Sequence, residues 1–287
     1  MKRSGISYAI SFVLAFGAVF GLASSSQAAA IVWASAISDP AGADAGFVNL
    51  LQGAGHTVSR FTIAGPLTAE NVARLNTADL VIVGRASNSG DFDNANGVIW
   101  NEQITAPVIN MTAYAARRNR LGWITGDTVP DSGPTPLVAA NPAHPIFDGI
   151  TFAGDGMTMA DNYNVMIDRG TTQLGNPPVA GATVIATNPL VPNSIAIAEW
   201  PAGTVVTDER TGVPPQTLAG YRMFFAGGSR EANGAAVTTA GVLDLTPAGQ
   251  QLFLNAVNHA LTVPEPSSIT LVGLGCAFLL RRSVRRN

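Results

Sequence analysis

The sequence predicts an α/β domain built on a mainly parallel central sheet with helices on both faces. Runs such as Ala30 to Ser35 (Ala-Ile-Val-Trp-Ala-Ser) and Asp79 to Gly84 (Asp-Leu-Val-Ile-Val-Gly) are short, continuously apolar and β-branched. That pattern belongs to strands buried on both faces, not to half-solvated strands that alternate. Segments with apolar residues at helical spacing lie between such runs, and a strand-helix-strand rhythm returns each strand parallel to the last.

The elements follow in order. After the strand at 30–35 comes a loop, Ala36 to Gly42, then a helix over Asp44 to Ala54. Its Phe47, Leu50, Leu51 and Ala54 share a face, and Gly55 stops it. Thr57 to Thr62 is the second strand. Thr68 caps a helix running to Leu75, and the strand at 79–84 follows. Ala95 to Ile104 is helical and Pro107 to Met111 is a strand. Beyond Trp123 the chain loosens into Gly- and Pro-rich loops, with strands expected at Thr183 to Ala186, Ser194 to Trp200, Val205 to Thr207 and Arg222 to Ala226. Thr246 to Leu261 closes the domain as an amphipathic helix with Leu252, Phe253, Ala256, Val257 and Ala260 inward.

The two ends read as processing segments. Lys2 and Arg3 precede an apolar stretch from Ile10 to Leu22, and the small residues from Ser24 to Ala30 offer cleavage after Ala28 or after Ala30. This is the layout of a secretory signal peptide, assigned to residues 1–30. At the other end, over residues 263–287, Pro264-Glu265-Pro266 leads into an apolar run from Ile269 to Leu280, closed by Arg281, Arg282, Arg285 and Arg286. The three features in this order resemble the PEP-CTERM sorting signal. That resemblance implies signal peptidase and an exosortase-type membrane protease as partners, a transient membrane anchor, and delivery to the cell surface or extracellular polysaccharide. The run of 12 residues falls short of the roughly 20 that span a bilayer comfortably.

Without Lys2, Arg3 and the four tail arginines the chain keeps ten basic residues against 19 acidic ones if Glu265 stays, a net charge of about −9 around the domain at residues 31–262. Such a surface repels polyanions, which argues against nucleic acid as a partner. The only cysteine, Cys276, and the only lysine, Lys2, lie in the end segments. Thiolate, Schiff-base and phosphate-loop chemistry therefore have no nucleophile or cation in the domain. With only His56, His144 and His259 as imidazoles and no thiolate, neither a metal site nor a cofactor is expected.

Several segments together resemble the class I glutamine amidotransferase-like superfamily, near its ThuA-like branch. They are the opening strand with Asp44 to Gly55, Ala78 to Val83, Asn141 to Ile150 (Asn-Pro-Ala-His-Pro-Ile-Phe-Asp-Gly-Ile), Ile195 to Trp200, and the helix start at Leu245 to Gly249. The resemblance implies a flavodoxin-like three-layer sandwich. It does not carry the activity over, because the turn after Pro107 to Met111 reads Thr112-Ala113-Tyr114 where a thiol nucleophile is needed.

Open α/β sheets place ligands at the carboxyl ends of their strands. Asp39 follows the first strand, and Arg85, Asn88, Ser89 and Asp91 follow the third. Tyr114, Arg117, Arg118, Arg120 and Trp123 follow the fourth, and Arg230 with Glu231 follow the strand at 222–226. Arginine forks hold carboxylates or phosphates, and Trp123 or Tyr114 could stack on a sugar. Alternatively, the arginines pair with Asp39, Asp91 or Asp127 and tie loops together. No Gly-x-Ser-x-Gly elbow is present, and His144 is the one plausible base, with Ser87 and Ser89 as the nearest hydroxyls. Asp91, Asp93, Gly97 and Glu102 imitate a calcium loop, but Ala95 and Asn96 stand where a ligand and the turn glycine belong, so N-capping by Asp93 or Asn94 is expected instead. The reading is a noncatalytic domain that binds a small polar or carbohydrate ligand; the alternative is a hydrolase or carbohydrate-processing enzyme using rim acids and His144.

Overall fold

The computed structural model describes residues 28–165, 170–171, 173–174, 178, 180–207 and 212–263. Almost all of the signal segment, and the whole tail with Pro264, Glu265, Pro266, Arg281 and Arg282, lie outside the described residues. Among those residues no helix is long and apolar enough to cross a membrane.

Eight strands form one sheet: β1 (Ala30–Ser35), β2 (Thr57–Thr62), β3 (Leu80–Val83), β4 (Val108–Asn110), β5 (Val138–Ala139), β6 (Thr183–Thr187), β7 (Ile197–Trp200) and β8 (Arg222–Phe225). Their spatial order is β2-β1-β3-β4-β8-β7-β6-β5. The first five in that order run parallel, and β7, β6 and β5 continue the sheet antiparallel. Among the described residues five α-helices accompany it: α1 (Ala45–Gly53), α2 (Ala69–Leu75), α3 (Asn94–Glu102), the single turn α4 (Ala113–Ala116) and α5 (Pro247–Thr262).

The continuous apolar strands are explained by burial on both faces. In β1, Ile31 and Trp33 face one core while Val32 and Ala34 face the other; in β3, Leu80 and Ile82 oppose Val81 and Val83. The first core takes Phe47, Val48 and Leu51 from α1 and Leu252, Phe253, Ala256, Val257 and Ala260 from α5. The second takes Leu75 from α2, Trp100 from α3 and the alanines of α4. The chain is therefore an α/β protein with helices packed on either side of a mainly parallel sheet, as the sequence predicts.

The helix starts at Thr68 and Thr246 behave as their residue types require. Thr68 and Asn71 cap each other reciprocally, and the Thr246 hydroxyl accepts the N–H of Gly249 at 3.1 Å. Gly249 has a second reason to be glycine, since a Cβ there would lie 1.9 Å from the carbonyl oxygen of Tyr163. Expected capping by Asp93 or Asn94 is not what is found: Asp93 occupies the position before α3 without a side-chain cap bond, and Asn94 takes φ of 48°. The single strand expected over Ser194 to Trp200 is also divided. Ser194–Ile195 pairs with Gln173–Leu174, while β7 joins the main sheet with a register shift at Ile197 and Ala198.

Two buried charges lock this arrangement. Asp44, fully buried, accepts hydrogen bonds from Trp33 Nε1 (2.7 Å), Ser35 Oγ (2.8 Å) and Arg60 (2.7 Å), tying α1 to β1 and β2. Arg222, also fully buried, donates to the carbonyls of Trp100, Asn101, Ile104 and Ala106, and so seats the C-terminal end of α3 on the start of β8. Replacing it leaves those carbonyls without a donor. Arg222→Met is expected to cost about 3 kcal/mol, read as a lower urea midpoint at unchanged slope.

Candidate functional site

At the carboxyl ends of β3, β4 and β8 the structure gathers Arg85, Ser89, Tyr114, Arg117, Arg230 and Glu231. The guanidinium carbons of Arg85 and Arg117 lie 5.2 and 5.3 Å from the centroid of the Tyr114 ring. Arg85 is buried and pairs with Glu231 at 3.3 Å, and Arg230 pairs with Asp131 at 2.5 Å. Burial pulls the Arg85 guanidinium below its usual range, while Glu231, Tyr114 and Asp131 oppose that shift. Arg117 differs from both. It donates through Nε to the Tyr114 carbonyl at 3.0 Å and through a terminal nitrogen to Ser89 Oγ at 3.5 Å, so its hydrogen-bond partners among the described residues are uncharged.

The other residues singled out from sequence are dispersed. Asp39 is exposed and accepts the N–H of Ala41, closing its own turn. Asn88 is exposed beside Ser89, and burial raises the Asp91 carboxyl above its ordinary range. Arg118 pairs with Asp127 at 2.7 Å, as the ion-pair reading anticipates, with both side chains well solvated. Arg120 lies 3.9 Å from Asp93; burial first, and the charge of Arg120 second, lower the basicity of Arg117, while Asp127 and Tyr114 oppose them. Asp39 and Asp91 take no arginine among the contacts described.

Two expectations need correction. Trp123 is not a stacking surface on the rim: it is buried, donates to Asn101 Oδ1 at 2.9 Å, and packs on Trp200 at 5.5 Å. Gly122, with φ of 68°, reverses the chain so that Leu121 and Ile124 bond back to Ala115 and Ala116, carrying Trp123 into the core. His144 does not join the rim acids. It precedes the turn Pro145–Phe147 and meets Glu199 of β7 and His259 of α5. Glu199 pairs with Met223 and Trp200 with Arg222, at the start of β8, so this group occupies the opposite edge of the sheet.

There Glu199 accepts from Tyr221 Oη at 2.5 Å, lies 2.9 Å from His259 Nε2 and 3.5 Å from His144 Nε2. Burial pushes its carboxyl up, but the hydrogen bonds from His144, His259 and Tyr221 outweigh burial and hold it well below the ordinary carboxylate range. A cleft of about 460 Å³ opens beside His144, lined also by Pro142, Phe147, Asp148, Ile150 and Phe152. Sequence reasoning passed over Glu199, Tyr221 and His259 as site residues. The available signal was a glutamate inside the apolar run Ile197-Ala198-Glu199-Trp200, which demands buried partners.

A third polar group, also unforeseen, lies under the rim. Asp244 is fully buried, accepts the N–H of Gly228 at 2.7 Å, and feels the charge of Arg85. Gly228 takes φ of 84°, and a Cβ there would come within 2.9 Å of Arg85 Cβ. Where an amidotransferase-like nucleophile would stand, Thr112 has extended backbone (φ −102°, ψ 109°) in place of a strained elbow.

No known protein-family model matches the chain, and no curated protein matches it.

Burial pushes the Asp244 carboxyl up to about 7 from its ordinary 3.8, against the opposing pull of Gly228 and Arg85. The folded state then holds a proton that the unfolded state releases, so the stability contributed by this group is fully present below pH 3.8 and is lost as pH rises through about 7. Asp244→Asn keeps an acceptor for Gly228. It is expected to exceed the parent in urea midpoint at about pH 8 and to lose that advantage by about pH 4.

Proposed function

We propose that this chain is an exported envelope or extracellular-matrix protein whose domain binds a small acidic sugar, without catalysis, at the carboxyl edge of its parallel strands. The observation that carries the reading is Arg117. Its guanidinium lies over Tyr114 beside the Ser89 hydroxyl and has no carboxylate partner in hydrogen-bond range among the described residues. A fork of this kind takes a carboxylate bidentately, and a neighbouring ring suits a pyranose face. On a chain of about −9 charge without its basic ends, one arginine hydrogen-bonded to no acid among the described residues favours a small anion over a polyanion.

The finer fold reading, a flavodoxin-like amidotransferase-like sandwich, is supported by the order β2-β1-β3-β4-β8 of the parallel strands. Export and tail removal by signal peptidase and an exosortase-type protease rest on the sequence of the two ends. The enzymatic alternative loses support, because His144 stands at the opposite edge from Ser89 and the rim acids.

Titrating the protein with monomeric glucuronate in a calorimeter tests the binding reading. Arg117→Ala and Tyr114→Ala are each expected to weaken binding ten-fold or more, whereas Arg118→Ala, on the solvated Asp127 pair, leaves it unchanged. Absence of binding, or equal binding by all three variants, removes the proposal. Intact-mass measurement of the exported protein tests the sorting reading; the expected product lacks Arg281 to Arg286, and recovery of those residues overturns it.

A further inference from the structure

We infer that His144, Glu199 and His259 form a binding site for one zinc-like divalent cation, at the edge of the sheet opposite the rim. Nitrogen and carboxylate donors of these three residues all lie within 4.8 Å of one another. Tetrahedral zinc with bonds of about 2.0–2.2 Å places its donors about 3.4 Å apart. The His144 Nε2 to Glu199 Oε1 separation is 3.5 Å and the His259 Nε2 to Glu199 Oε2 separation is 2.9 Å. Small side-chain shifts close the set around an ion. Two imidazoles and one carboxylate are a donor set that zinc takes, leaving a fourth position for water.

The surroundings suit such an ion. Tyr221 donates to Glu199 at 2.5 Å and orients the carboxylate, as outer-shell partners of metal ligands do. The three side chains retain 12 to 17% exposure, and His144 lines the cleft, so an ion and its water have a path inward. The donors come from three separate pieces of chain: the turn before Pro145, β7, and the last turns of α5. An ion here would clamp them together.

Ligation has a defined proton balance. His259 Nε2 faces Glu199 in the metal-free arrangement, and ligation through that nitrogen places the ring's one proton on Nδ1, so a neutral imidazole binds the ion without net proton release. His144 Nδ1 accepts the N–H of Ile146 at 3.3 Å, which leaves the proton on Nε2, facing Glu199. Ligation through Nε2 moves that proton to Nδ1 and gives up this long bond.

The test uses the detergent-solubilised full chain carrying Cys276→Ser, so that the tail thiol cannot ligate. Titration with Co²⁺ is expected to reach one ion per chain with the intense visible band of tetrahedral coordination, and Zn²⁺ is expected to displace it and raise the melting temperature. His144→Gln and His259→Gln keep a donor toward Glu199 but lose the ligand nitrogen, and each is expected to weaken the ion at least ten-fold. His56→Gln, at the start of β2, leaves binding unchanged. Should His259→Gln unfold α5 before metal is added, His144→Gln on its turn decides alone. Absence of stoichiometric binding, or equal affinity in His144→Gln, reduces the three side chains to a hydrogen-bond network and overturns the assignment.

Discussion

The fold turns on one strand. β8 pairs parallel with β4 on one side and antiparallel with β7 on the other, so it joins the regular parallel half of the sheet to the antiparallel half. Its first residue is Arg222, a cation removed from water and held by backbone carbonyls around the end of α3. A buried guanidinium needs partners for its donors; here both terminal nitrogens meet carbonyls, which a helix C-terminus offers together with a negative dipole end. The same contact that satisfies the charge fixes where β8 begins. From that start follow the register of Glu199 on one edge and the emergence of Arg230 and Glu231 on the other.

Polar groups are accordingly sorted to the two ends of the strands, with apolar layers between. On the carboxyl edge, arginines and acids interleave around Tyr114 above the buried carboxyl of Asp244. That carboxyl has one backbone donor, from Gly228, and desolvation dominates its titration. On the amino edge the balance is reversed: Glu199 has three donors and stays charged despite burial. Glu199 of β7 and Asp244 of the loop before α5 thus settle on opposite protonation behaviour, decided by how many donors each carboxylate receives.

The parallel half was legible because its strands are buried on both faces and leave an unbroken apolar signature. Ala30–Ser35 and Thr57–Thr62 match the expected bounds, and the five residues of α5 expected inward from their spacing are all buried. The antiparallel half was less so. Val138–Ala139 is two residues long, and the division within Ser194 to Trp200 depends on a register shift that only the neighbouring strand creates. For the rim, counting residues beyond each strand end recovered Arg85, Ser89, Tyr114, Arg117, Arg230 and Glu231. It failed for Trp123, because the reversal at Gly122 depends on the left-handed backbone there. His144, Glu199 and His259 are far apart in sequence, and only the placement of β7 beside β8 brings them together.

β1 starts, and α5 finishes, at the same side of the sheet, the side that carries His259 and Glu199. Any tether joined to either terminus of the domain would therefore hold that side toward the surface to which it is fixed. The arginine-bearing side would then point away from it. Orientation would come from the path of the polypeptide.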